Sequence, residues 1–236
     1  MQLFYTPDIE PSHPQYFLSE DESKHAIRVL RLETGDEVQL IDGRGGFYNA
    51  KIQDAHPKRT ILNITSVTPN FNKRNHYLQI AVAPTKNIER LEWFLEKATE
   101  IGVDEVTLIV TQRSERKEVK VDRLNKIITA AIKQSLKAYH PVLNDAVKLN
   151  QLLVQPFDGQ KFIAHCEPGE KLDLRKGINL KGRYLILIGP EGDFSPAEIE
   201  LALENGFKPI TLGEARLRTE TAALEACFEV NFINRV

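Results

Sequence analysis

Tyr184-Leu185-Ile186-Leu187-Ile188 is an unbroken apolar run that gives way at once to Gly189-Pro190-Glu191-Gly192-Asp193-Phe194. A short apolar run without alternation suits a strand buried on both faces, as in a parallel sheet covered by helices. Two glycines and a proline then fix a tight turn. Ser195-Pro196-Ala197-Glu198 follows with the marks of a helix start: Ser as N-cap, Pro in the first turn, Glu three residues after the cap. The unit is strand, turn, helix.

The same unit recurs outward from this stretch. Downstream, the helix is expected to end at Gly206, Ile210-Thr211-Leu212 to be a strand, and 219–234 a terminal helix. Upstream, 162–164 reads as a short strand. Tyr77 to Val82 is an apolar strand, and Ile88, Leu91, Phe94, Leu95, Ala98 and Ile101 recur at helical spacing, with Gly102 placed to end that helix. Residues 106–110 read as a buried strand. Residues 121–139 are expected as a further helix, stopped by Pro141. The fold class expected is α/β, with a largely parallel sheet covered on both faces.

Before Tyr77 the pattern changes. Residues 36–41 and 47–52 read as strands joined by the turn Asp42-Gly43-Arg44-Gly45-Gly46, whose glycines permit positive φ. Residues 59–67 are a third β-prone run, and 24–32 a short helix. Pro69 to His76 is polar and without periodicity, as a linker would be. A β-rich domain over 1–72 and an α/β domain over 73–236 are therefore expected.

The chain has 236 residues, is 42% hydrophobic and 27% charged, and carries a formal net charge of −2. That length and composition support a folded core and exclude wholesale disorder. No run approaches the roughly 18 apolar residues of a membrane span, and no signal peptide is read at the N-terminus. Cys166 and Cys227 form no CxxC pair, so a disulfide framework and a cysteine zinc site are not expected, and a cytoplasmic setting is. The near-neutral total conceals a basic middle. Residues 1–72 net −3, residues 73–150 net +4 and residues 151–236 net −3. A basic stretch between acidic neighbours can direct a polyanion to one face; it can also be a solvated helix face.

Familiar catalytic motifs are missing: there is no GxxxxGK[ST], HExxH, GxSxG or strand-borne GxGxxG. His25, His140 and His165 have no ligand-spaced partners, so no metal is expected. In open α/β sheets ligands bind beyond the carboxyl ends of strands. Three such ends stand out: Ala83-Pro84-Thr85-Lys86-Asn87, the Gly189–Phe194 turn, and Gly213-Glu214-Ala215-Arg216-Leu217-Arg218-Thr219-Glu220-Thr221-Ala222. Taken singly, each is consistent with an ordinary βα turn, with Arg216 and Arg218 pairing to Glu214 or Glu220.

Together, Gly189-Pro190-Glu191-Gly192 and Leu212-Gly213-x-x-x-Leu217-Arg218-x-Glu220-Thr221-Ala222 resemble the C-terminal signature of the SPOUT methyltransferases. The resemblance is nearest to the RsmE family of 16S rRNA (uracil-N3) methyltransferases. His25-Ala26-Ile27-Arg28-Val29-Leu30-Arg31-Leu32, Asp42 to Gly46, Glu89 to Val103, Arg113-Ser114 and Lys133-Gln134-Ser135 also match it, so it covers essentially the whole chain. The chain departs from the family where Leu136-Lys137 follow Gln134-Ser135, and where Asp193 stands at a common glycine position.

The resemblance implies an N-terminal PUA-like β-barrel that binds RNA and a C-terminal SPOUT domain with a deep trefoil knot. It implies S-adenosylmethionine as cofactor, held by Pro84, Thr85, Ile188, Gly189, Pro190, Glu191, Gly192, Leu212, Gly213, Leu217 and Arg218. It implies a homodimer, with Leu224, Phe228 and Ile233 of the terminal helix as a candidate face, and 16S rRNA or the small ribosomal subunit as partner. Arg28, Arg31, Arg44, Lys86, Arg113 and Lys137 are the candidate RNA contacts. Methylating N3 of uracil requires removal of its proton. Glu191 or Asp193 could act as base, or Arg216 or Arg218 could stabilise the resulting anion; the arginine route is favoured. The alternatives are ribose 2′-O-methylation by another SPOUT enzyme, a non-catalytic RNA-binding or assembly protein, and an unrelated small-molecule α/β enzyme.

Overall fold

A computed structural model describes residues 2–236. The chain folds as two compact units. The first comprises residues up to Lys73 together with Ile132–His140; the second comprises Arg74–Ala131 and Pro141–Val236.

The first unit is a five-stranded sheet of β1 (Leu3–Tyr5), β2 (Gln15–Phe17), β3 (Glu37–Ile41), β4 (Phe47–Asp54) and β5 (Ile61–Thr68), ordered β1-β3-β4-β5-β2. β1 runs parallel to β3, and the other pairs are antiparallel. The three strands expected from sequence form the centre. β1 and β2 are the edges of this sheet, and no ladder joins them among the described residues. Asp42 builds the β3–β4 turn: Oδ1 accepts from Arg44 N–H (2.7 Å) and Gly46 N–H (2.9 Å), and Oδ2 accepts from the Tyr48 hydroxyl (3.2 Å). Phe4, Leu40, Tyr48, Ile52 and Leu62 form the core of this unit. The helix expected over 24–32 is instead α1 (Glu20–Lys24), capped by Ser19, followed by a π-helical turn over His25–Val29.

The second unit is a seven-stranded sheet whose pairs are all parallel. Its elements are β6 (Tyr77–Val82), α2 (Ile88–Ile101), β7 (Glu105–Val110), α3 (Val121–Gln134), β8 (Val142–Lys148), α4 (Leu149–Leu153), β9 (Gln160–Ala164), β10 (Leu172–Asp173), α5 (Leu174–Gly177), β11 (Arg183–Ile188), α6 (Pro196–Glu204), β12 (Lys208–Thr211) and α7 (Thr219–Ile233). The order is β10-β12-β9-β11-β6-β7-β8. β11 is central and buried from Tyr184 onward, as its unbroken apolar run requires. Ser195 and Glu198 form the expected reciprocal cap at the start of α6.

One boundary differs. α3 ends at Gln134, not at Tyr139. Leu136 takes a left-handed φ of 55°, and the chain beyond it hydrogen-bonds to the β3–β4 turn: Gly45 N–H donates to Ala138 C=O and His140 N–H to Gly43 C=O, both at 2.9 Å. Apolar spacing continued past the helix end because Ala138 is buried in the first unit.

Candidate active site

The carboxyl ends of β9, β11 and β12, adjacent in the sheet, open into a cavity of about 740 Å³. Its walls are Ile188 to Glu191 and Asp193 after β11, Ile210 to Thr219 and Ala222 from the end of β12 to α7, and Ala164, His165, Cys166 and Lys171 from the β9–β10 connection. Of the residues expected from sequence, Ile188, Gly189, Pro190, Glu191, Leu212, Gly213, Arg216, Leu217 and Arg218 come together there. Pro84, Thr85 and Gly192 lie outside the lining.

The turn after β11 is rigid. Asp193 N–H donates to Pro190 C=O (2.9 Å), and a Cβ on Gly189 would press on the Phe194 ring at 3.1 Å. Asp193 has a left-handed φ of 61°. Its carboxylate accepts from the backbone N–H of Cys166 (2.7 Å) and of Phe194 (2.8 Å), joining the β9 end to the β11 turn. This is a structural use of the carboxylate of a residue that also lines the cavity. Glu191 is exposed, and its Oε1 accepts from Lys86 N–H at 3.0 Å.

The β7–α3 connection braces these turns from outside. Arg113 donates to the carbonyls of Gly192 (2.9 Å) and Phe194 (3.2 Å). Arg116 donates to the carbonyls of Thr85 (3.1 Å) and Lys86 (2.8 Å). Thr85 is buried, with its hydroxyl donating to Asn87 C=O at 2.6 Å. Thr85 thus lies on a loop that Arg116 holds through its carbonyls.

Gly213, at φ 106°, lets the backbone turn beyond β12. Arg216 and Arg218 that follow are exposed. Neither makes an ion pair among the described residues; Glu220, at the buried start of α7, instead faces Arg90 at 3.7 Å. Two guanidinium groups thus stand beside a cavity whose other charged walls are Lys171, Glu191, Asp193 and Glu214.

The candidate RNA contacts divide by engagement. Arg28 and Arg31 are exposed, Arg31 with a left-handed φ of 55°. Arg44 is held by Ile9 C=O (2.9 Å) and the Glu10 carboxylate (3.1 Å). Lys86 Nζ is 2.8 Å from the Glu115 carboxylate. Lys137 is half-buried in the first unit. His165, Cys166 and Lys171 were not expected from sequence, because their segment has no periodicity and no motif.

The comparisons bear on this geometry. Residues 72–230 match the family described as "RNA methyltransferase domain", and residues 18–65 match "RNA methyltransferase PUA domain". A solved structure from Porphyromonas gingivalis, titled a "probable rRNA-methyltransferase", is 42% identical, covers 99% of this chain and 98% of that one, and superposes with a TM-score of 0.92. A ribosomal RNA small subunit methyltransferase E from Neisseria gonorrhoeae, solved bound to S-adenosyl methionine, is 25% identical over 96% of this chain and 95% of that one, with a TM-score of 0.86. Among curated relatives, the ribosomal RNA small subunit methyltransferase E of Rickettsia conorii is 28% identical over 92% of this chain and 89% of its own length. The chain belongs to the RsmE-type RNA methyltransferase family.

Proposed function

We propose that this protein uses S-adenosylmethionine to methylate N3 of a uridine in 16S rRNA of the small ribosomal subunit, with residues 1–72 gripping RNA and residues 73–236 carrying the reaction. The observation that carries this is the cavity itself. It collects both sequence signatures at three adjacent strand ends, where an open α/β sheet binds its ligand.

The residues present fit the cofactor. The volume of about 740 Å³ suits a nucleoside with an amino-acid tail. Ile188, Leu212 and Leu217 offer apolar surface beside backbone N–H and C=O groups for an adenine, and Pro190 and Gly213 shape the two turns. When bound, the cofactor supplies an electrophilic methyl group. The protein's own task is to bring N3 into line with it and to favour loss of the N3 proton.

Among the described residues, neither Arg216 nor Arg218 makes an ion pair, and Glu220 faces Arg90 instead. A guanidinium at a uracil carbonyl oxygen stabilises the charge that spreads there when N3–H ionises. Glu191 already accepts the Lys86 N–H, which leaves its other oxygen as the alternative acceptor for that proton. The trefoil knot belongs to this reading. It is supported by the strand order, in which the chain runs outward to β8, crosses back to β9, and only then inserts β11 between β9 and β6. A homodimer is supported by α7, which leaves Phe228 and Phe232 exposed and stacked at 5.8 Å. No helix of the described residues is long and apolar enough to cross a membrane; the cytoplasm, where ribosomal subunits are modified, is the setting we propose.

The test is to incubate the purified chain with methyl-labelled cofactor and small ribosomal subunits, then identify the modified nucleoside by mass. 3-Methyluridine is the expected product. A ribose-methylated nucleoside, or no transfer, would reject the assignment.

A further inference from the structure

The β9–β10 connection contributes a third wall of the cavity. β9 lies between β12 and β11 in the sheet, so a ligand touching both signature turns crosses the tip of β9. Two side chains stand there. Lys171 lines the cavity and has no ion-pair partner among the described residues. His165 lines it too, and its Nδ1 is sealed from solvent with no hydrogen-bond partner, which leaves Nε2 as the ring nitrogen open to the cavity. Burying an N–H without an acceptor is costly, so the proton of a neutral ring belongs on Nε2, and His165 offers a donor to the cavity. The backbone behind it is fixed by the Asp193–Cys166 hydrogen bond at 2.7 Å.

We infer that His165 and Lys171 form a carboxylate-binding wall and hold the aminoacyl carboxylate of S-adenosylmethionine. This rests on the cofactor reading above. An ammonium and a neutral N–H donor from one connection suit a single anionic oxygen pair. The electrostatics agree. Burial first, and Lys171 second, hold the His165 imidazole below its ordinary range, against the opposing pull of Asp193 and Glu167. The ring is therefore a neutral donor near pH 7 and a poor proton acceptor, which separates its task from that of a general base. Arg216 and Arg218 enter from the β12 side and remain available for the base.

Calorimetry on the full chain without RNA tests this. Lys171→Met and His165→Ala should each weaken S-adenosylmethionine binding about tenfold. His165→Gln, whose amide nitrogen reaches the position of Nε2, should stay within about threefold of the parent. Decarboxylated S-adenosylmethionine should bind the parent about as weakly as it binds the variants. Histidine nitrogen NMR of the unliganded protein should show His165 neutral with its proton on Nε2. The inference fails if the variants bind the cofactor as the parent does, or lose the same factor for the decarboxylated compound. It also fails if His165 carries its proton on Nδ1. Variants that keep cofactor affinity but bind ribosomal subunits less tightly, with a shallower salt dependence, would reassign the wall to an RNA phosphate and overturn it. A parent protein that binds no cofactor at all would defeat the cofactor reading first, a result distinct from each of these.

Discussion

Arg218 caps the start of α7 with extended backbone and an unpaired guanidinium, whereas Glu191 is already tied to Lys86. Arg218→Ala should therefore lower turnover by about 100-fold at saturating cofactor and RNA. Glu191→Gln should lose only a few-fold. Single-turnover methyl transfer across pH distinguishes them, and an Arg218→Ala enzyme with the parental pH–rate profile would rule out anion stabilisation. Asp193 gives a stability counterpart. Its carboxylate receives two backbone N–H groups, and its left-handed φ disfavours a Cβ with no compensating hydrogen bond. Asp193→Ala should cost about 2–3 kcal/mol, and Asp193→Gly about 1 kcal/mol less because the backbone strain is relieved. Urea denaturation midpoints report both. Sequence reading located Glu191, Arg216 and Arg218 through their places in turns. It could not see that Arg113 and Arg116 spend their donors on carbonyls of other loops. A basic residue looks the same in sequence whether it faces phosphate or a neighbouring carbonyl.

Elements of the second unit were legible wherever an apolar run was long enough to define its period. β6, α2, β7, β11, α6 and α7 all fall where their patterns put them. The elements that escaped are short or at an edge: β1, β2, β10, α4 and α5, and β8, whose residues are only partly buried. Strands of two or three residues are too short to show a hydrophobic period, and the partly buried β8 shows a weak one. The over-extended α3 has the opposite cause, since Ala138 is buried within the first unit, to which residues 132–140 belong, and mimics another helical turn. α7 carries a prediction at this scale. Its inner residues Ala223, Ala226, Cys227 and Val230 are buried, while Phe228 and Phe232 point outward and stack on each other. Exposed stacked aromatics on an otherwise packed helix suit a partner surface. Phe228→Glu with Phe232→Glu should convert the proposed dimer to a folded monomer in sedimentation velocity. A parental sedimentation coefficient for the double variant would remove α7 from the interface.

At the scale of the molecule, the net charge of −2 describes neither the basic middle segment nor its acidic flanks, and the response to pH is likewise set by a few sheltered groups. The His76 imidazole is held below its ordinary range by burial and then by Arg74, and His165 is held low by burial and Lys171. Both resist protonation in the folded chain. The folded state then binds fewer protons than the unfolded state once pH falls below the unfolded histidine value of 6.5. Their contribution to stability is complete above that value and is lost as pH drops through it. Glu229 acts in the other direction. Burial, and then Glu225, raise its carboxyl above the ordinary 4.5, so the folded state holds this proton more tightly and gains stability as pH falls toward the carboxylate range. Urea denaturation of the parent should show a midpoint that declines between pH 7 and pH 5.5. His76→Gln, which keeps a polar group of similar size without a titrating ring, should flatten that decline. Glu229→Gln should steepen it by deleting the opposing term. A His76→Gln curve parallel to that of the parent would show that this imidazole is solvated, and that the buried Nε2 seen here does not govern the folded state's proton uptake.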